Sequence, residues 1–441
     1  MKRGWSLPAW LLVLLVMAHV ASAAPVLPVR WHPPVELAKG AGVRGPWQQN
    51  ESRYDFVDDP SVALADDGSL VVAWVDQARK AVLVQRRGAD GAAAGAPVQV
   101  DRQPHTFSWI PRLATAPGAP QQVLVLWQEI IFSGGSHGGE MMFARSSDGG
   151  RAFSPPLNIS RSRGGDGKGR INPDYWHNGS YDLAAAAGGR VYAAWTEYDG
   201  PLWFCTSVDG GLTFSAPRRL AGGREQRPAR APSLAVGPRG EVYLAWTEGD
   251  LPGADVRVAR SEDFGATFSS GPVVAPSPAY SDAPRLAVDA RGVLHLVYAE
   301  SDGAPLQRQR VLYTRSTDGA RSFEPTRVLT PTLPRPHVSA GYPSVAVDRQ
   351  GGVYVLWELQ DDLGKPPRAL GMAVSGNGGT DFSQADVVPH ASDPRGGYNG
   401  STQGLVNKLS VNARGDIAIV NSSLLEGSHS RVWLMRGQRQ R

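Results

Sequence analysis

The residues best equipped for chemistry stand just ahead of short apolar runs. Trp176-His177-Asn178 is followed by Tyr181. A His with a nearby Tyr can take a proton from an acidified carbon or pass one to a leaving oxygen, so His177 and Tyr181 are candidate catalytic groups. Asp59, in Asp58-Asp59-Pro60, is a third. Asp58, Trp109, Asn178, Arg230, Asp282, Tyr342 and Asn399 occupy comparable places and form a candidate ligand-binding set. Taken singly, each is equally a rim or hydrogen-bonded packing residue; their recurrence at equivalent places makes the group informative. Arg112, Arg230 and Arg285 supply planar guanidinium forks that could clasp a carboxylate if the fold brings them together.

Equivalent places exist because the chain repeats. A phrase of Pro-Ser-Leu-Ala-Val type leads through a glycine turn into an apolar strand that ends in Trp-x-Glu. It appears as Pro60-Ser61-Val62 with Trp74 and Asp76, then Pro111-Arg112-Leu113 with Trp127 and Glu129. Tyr181-Asp182-Leu183 with Trp195 and Glu197 follows, then Pro232-Ser233-Leu234 with Trp246 and Glu248. Pro284-Arg285-Leu286 with Tyr298 and Glu300, and Pro343-Ser344-Val345 with Trp357 and Glu358, continue the series. A degraded copy, Leu409-Ser410-Val411, leads to Ile417-Ala418-Ile419 and Asn421. The spacing is roughly 57 residues, somewhat above that of a four-stranded propeller blade. The buried-type Trp positions read as packing between repeats. The acids that follow them form either a broken acidic ring or partners for loop N–H groups and nearby arginines.

Five of the units then carry a fixed turn. Ser146-x-Asp148-x-Gly150-x-x-Phe153 recurs around Asp209, Asp263, Asp318 and Asn377. In S-x-D-x-G-x-x-F the carboxylate and hydroxyl can cap backbone N–H groups, and glycine takes the unusual φ. These positions are therefore structural. The motif resembles the Asp-box, or BNR repeat, of the sialidase-like (neuraminidase superfamily) propellers, and the resemblance spans about residues 34–436. It implies an all-β propeller of four-stranded blades, seven by the repeat count and six if the last unit is an appendage. Pro34-Val35-Glu36-Leu37 has the pattern of the outer strand that the last unit lacks, and closure through it would remove open sheet edges.

The resemblance implies an exo-sialidase, with three arginines on the substrate carboxylate, a Tyr nucleophile assisted by Glu, and an Asp acid/base. Where that family enters its first inner strand with an Arg, this chain reads Phe56-Val57-Asp58-Asp59-Pro60. Two carboxylates there would repel a sialic acid. A His-Asn pair entering an inner strand is similar to what seven-bladed polysaccharide lyases and rhamnosidases carry, so a His/Tyr-dependent lyase or related glycoside hydrolase is a second reading. The third is a non-catalytic propeller that binds a glycan or other extracellular ligand at its axial cleft. That cleft belongs on the face with long, variable entry loops, away from the uniform S-x-D turns.

Composition bounds these readings. The 441 residues include 51 Gly, 35 Pro, 13 Trp and one Cys, Cys205, which excludes a disulfide framework. Met1-Lys2-Arg3, an apolar Leu7–Val20 stretch and Ala21-Ser22-Ala23 form a secretory signal, so residues 1–23 are expected to leave a single domain of residues 24–441, secreted or periplasmic, with no membrane span. Losing Lys2 and Arg3 lowers the formal charge from +4 to +2. With only six Lys and no dense basic block, nucleic acid is not expected as a partner. No H-E-x-x-H or G-x-x-x-x-G-K motif occurs. No metal or cofactor is expected, Asp66-Asp67-Gly68 and Asp361-Asp362 reading as solvated turns. A monomer is expected.

Overall fold

The computed structural model describes residues 29–48, 50–101, 106–129, 139–161, 181–197, 200–223, 225–250, 253–269, 271–303, 307–400 and 407–440. They form antiparallel sheets whose innermost strands neighbour one another in chain order, with the last returning to the first, a β-propeller. The middle strands are buried on both faces. Leu70–Asp76, for example, carries Val71, Ala73 and Val75 toward one neighbouring sheet and Leu70, Val72 and Trp74 toward the other. Trp127, Trp195, Trp246 and Trp357 each anchor a different apolar cluster between sheets.

The expected count of seven blades, or six, is corrected. Five sheets stand alone as blades, four of four strands and one of five. The strands from Ala229 to Val328 instead merge into one eight-stranded sheet, because Ala254 pairs in parallel with Tyr280 and bridges what would otherwise be a gap. The five-stranded sheet holds both ends of the described chain. Val35–Gly40 pairs antiparallel with the Ser430–Leu434 part of the last strand, and Val29–Trp31 pairs with Gly437–Arg439.

Five innermost strands share a device that positions the mouth of the ring. Asp59, Ile110, Ala231, Ala283 and Tyr342 each precede a proline and each hold φ between +48° and +53°. The ladder register slips at the same place in every one of these strands. Proline cannot donate to the ladder, so a bulge accommodates it and redirects the side chains around it.

The S-x-D turns lie at the opposite end. Ser146, Ser207, Ser261, Ser316 and Ser375 each accept a backbone N–H four residues on, at 2.7–2.9 Å. Asp148, Asp209, Asp263, Asp318 and Asn377 in turn accept N–H groups across the turn. The residue directly after the Asp or Asn is glycine at 149, 210, 319 and 378, all with positive φ, but Phe264 takes that place with φ +58°.

Candidate functional site

The strand-entry residues come together as the floor of the ring's loop face, and nearly all are buried. Asp58 accepts the Ser422 hydroxyl at 2.6 Å. Asp59 accepts the Ile110 N–H of the next blade at 3.1 Å. The Tyr181 hydroxyl is 2.7 Å from the carbonyls of both Trp109 and Ile110 and accepts the Gln128 N–H at 3.1 Å. Burial raises the Tyr181 pKa well above its ordinary value, with Arg112 opposing the rise. His177 and Asn178, the other half of the proposed His/Tyr pair, lie outside the described residues.

On the other side of the floor, Arg230 donates to the Gly249 carbonyl at 2.7 Å, to Asp282 at 3.3 Å and to the Tyr280 hydroxyl. Asp282 also accepts the Thr247 hydroxyl at 2.8 Å. Tyr342 is raised in pKa by burial and by the charges of Asp282 and Glu358, while Arg230 counteracts them, which places these four groups within electrostatic reach. Asn399 donates to Glu358 at 2.6 Å, and Lys408 bridges Glu358 and Asn421. Arg112 donates through Nε to the Tyr181 carbonyl at 3.2 Å. Arg285 is lowered to about 10 by burial, with Arg112 next in effect, so these two guanidiniums share the interior of the ring with Asp182. Arg230 is thus committed to protein groups, while Arg285 reaches the Pro232 and Pro284 carbonyls, at 3.5 and 3.4 Å, and Arg112 Nη1 is buried with no hydrogen-bond partner among the described residues. All three guanidiniums are buried between neighbouring blades, at most 9% exposed.

The acids after the Trp positions mostly find cations: Asp76 with Arg79, Glu248 with Arg257, Glu300 with Arg310 and Glu358 with Lys408. Glu129 is different. It is buried without a described cation, and burial lifts its carboxyl to about 7 against the Thr106 hydrogen bond, with Asp101 and Glu140 adding to the rise. Among the described residues no three His, Cys, Asp or Glu side chains are grouped to hold a metal ion.

Trp109 belongs to a feature the repeat pattern did not reveal. An excursion between Val35–Gly40 and the first inner strand folds over the loop face, held by a short pairing of Val43–Arg44 with Tyr54–Asp55. It lays Trp47 against Tyr54, Phe107 and Trp109, with ring centroids 6.1, 5.7 and 6.5 Å away. Lys80 lies 4.8 Å over the Phe107 ring and also donates to the Asn50 carbonyl. Trp109 is 8% exposed and Trp47 37% exposed, so the cluster is a packed aromatic base whose outermost ring is partly exposed. The only sequence signal was the aromatic density of Gly45-Pro46-Trp47 and Tyr54-Asp55-Phe56, which lies outside the repeat.

No protein-family model matches this chain, and no curated protein matches its sequence. Solved structures do. An ulvan lyase bound to a repeat of glucuronate and 3-sulfated rhamnose is similar with a TM-score of 0.56 and 13% identity, covering 91% of this chain and 95% of that one. A protein of unknown function from Dyadobacter fermentans has a TM-score of 0.50 and 14% identity over 93% and 99%. A second polysaccharide lyase has a TM-score of 0.51 and 11% identity over 87% and 90%. At these identities the likeness shows a shared β-propeller fold. Among the described residues, no helix is long and apolar enough to cross a membrane.

Proposed function

We propose that this chain is an exported, monomeric propeller of sialidase-like type that binds a glycan on its loop face without sialidase chemistry. The observation that carries the reading is Trp47, a 37% exposed aromatic ring packed on Phe107 and Trp109 at the mouth of the ring. The apolar face of a pyranose stacks on such a ring, while hydroxyls at its edge reach polar groups such as those of the Asn50 and Lys80 region. The burial of Arg112, Arg230 and Arg285, with Arg230 held by Gly249, Asp282 and Tyr280, speaks against carboxylate capture by an arginine triad. The sugar-acting relatives in fold add support for a carbohydrate ligand, and the S-x-D turns support the sialidase-like assignment. Export rests on the Met1–Ala23 pattern, and N-terminal sequencing of the exported protein should begin at Ala24.

A glycan screen that records both retention and product release tests the reading. Retention without release is the expected result, and Trp47→Ala should weaken it at least about tenfold, or about 1.4 kcal/mol. Release of unsaturated uronide products would replace it with the lyase reading, in which His177, Tyr181 and Asp59 are the groups to vary. Binding that ignores Trp47→Ala would move the site to Asp58, Arg230, Asp282, Tyr342 and Asn399 on the floor.

A further inference from the structure

The first two blades enclose, just beneath the loop face, a group of side-chain oxygens of which several have no hydrogen-bond partner among the described residues. Glu129 closes the second strand of its blade directly opposite Glu140 on the third and Ser108 on the first. By strand alternation all three face the preceding blade, as Trp127 does. From that blade come Asp101, just past the outer strand, and Gln77, whose amide nitrogen donates to the Ser108 carbonyl at 3.3 Å. Gln77, Asp101, Ser108, Glu129 and Glu140 are all at most 2% exposed.

Half of this group is satisfied in an ordinary way. Asp101 accepts the Val82 N–H through Oδ1 at 2.8 Å, and Glu129 accepts the Thr106 hydroxyl through Oε1 at 3.1 Å. Glu140 accepts Asn158 and Ser160 at 2.9 and 2.8 Å. The rest is not. Asp101 Oδ2, Glu129 Oε2, Gln77 Oε1 and Ser108 Oγ are buried with no hydrogen-bond partner. Buried polar groups are normally paired, and buried carboxylates side by side repel unless something positive lies between them. Ser108, on an inner strand, and Gln77, in the turn after Leu70–Asp76, add neutral oxygens, so the feature is more than a run of acids.

We propose that Asp101 and Glu129, completed by the side-chain oxygens of Ser108 and Gln77, bind a hard, oxygen-seeking cation, with Ca2+ as the occupant. Two carboxylates with neutral oxygens and no nitrogen or sulfur make a calcium-type donor set. The ion would tie the hairpin end of the first blade to the Phe107–Trp109 segment that supports the aromatic base. The inference stands apart from the glycan reading, since it concerns an ion and the strands around it.

The test is thermal unfolding of the whole protein after chelation, at pH 7.5 and fixed ionic strength, with calcium added against sodium. Calcium should raise Tm saturably by several degrees where sodium does not, and isothermal titration should show one site. Glu129→Gln should remove the calcium response, and Ser108→Ala, which leaves both carboxylates in place, should weaken calcium affinity at least about tenfold. Asp209→Asn, in a turn at the opposite end, should leave the response intact. An unchanged Tm with calcium would overturn the proposal, as would a full response in both Glu129→Gln and Ser108→Ala. If Glu129→Gln does not fold, the Ser108→Ala titration decides alone.

Discussion

The carboxylate of Asp59 accepts the backbone N–H of Ile110 at 3.1 Å, and both residues hold positive φ at the equivalent place in neighbouring blades. The bulge at Ile110 is therefore buttressed by the side chain of the bulge in the blade before it. Asp59→Ala leaves the Ile110 N–H buried and unanswered, and should cost about 1–3 kcal/mol. Asp59→Asn keeps an acceptor and should cost less than half as much. Urea unfolding of the two variants measures the difference.

Phe264 sits at +58° where four sister turns have glycine, and its ring is 43% exposed beneath the Arg190 guanidinium, 4.2 Å away. A left-handed conformation costs a residue with a side chain about 1–2 kcal/mol, and the lost cation–ring contact offsets part of the relief. Phe264→Gly should raise stability by about 1 kcal/mol, read as a higher Tm. A fall in Tm would mean that the contact with Arg190 outweighs the backbone strain.

The turn carboxylates set an acid limit. The Thr213 hydroxyl, then the Thr213 N–H and the Ser207 hydroxyl, hold Asp209 down at about 2, and Asp318 is likewise held at about 2. A carboxyl depressed by folding contributes stability above its unfolded pKa of about 3.9 and loses it as pH falls through the folded value. Stability should therefore drop between about pH 4 and pH 2, and Asp209→Asn should flatten that drop slightly. The effect per turn is small because these groups face solvent. Tm recorded against pH for both proteins reads it directly.

Burial pushes the Cys205 thiol up to about 12, with Arg161 only partly opposing. The thiolate is the reactive form, so the native protein should give no reaction with a chromogenic disulfide reagent at pH 8. One equivalent should react once the chain is unfolded.

The repeats were legible because no single unit can bury both faces of its middle strand, so the same apolar phrase must recur in every one. The strand-entry residues were legible too, as a ring of positions. Their freedom was not. Whether Arg230 reaches out to a ligand or turns onto Gly249 and Asp282 depends on contacts with residues up to 52 positions away, which no local pattern encodes. The prolines at 60, 111, 232, 284 and 343 signalled an interruption in each inner strand, yet the left-handed residue before them runs against the usual preference of that position. The blade count failed on one parallel pair, Ala254 with Tyr280, whose side chains give no hint of it. Trp47 escaped notice because it lies outside the periodic part of the chain.

Val29–Trp31 and Val35–Gly40 lie along the same strand, His429–Arg439, so the start and finish of the described chain are neighbours. A short peptide joining them would leave every sheet whole. The described fold is thus suited to circular permutation, with new termini cut at an exposed hairpin such as Gly364, and a partner joined at Val29 or Arg439 would project from the rim of a single sheet and not across the mouth.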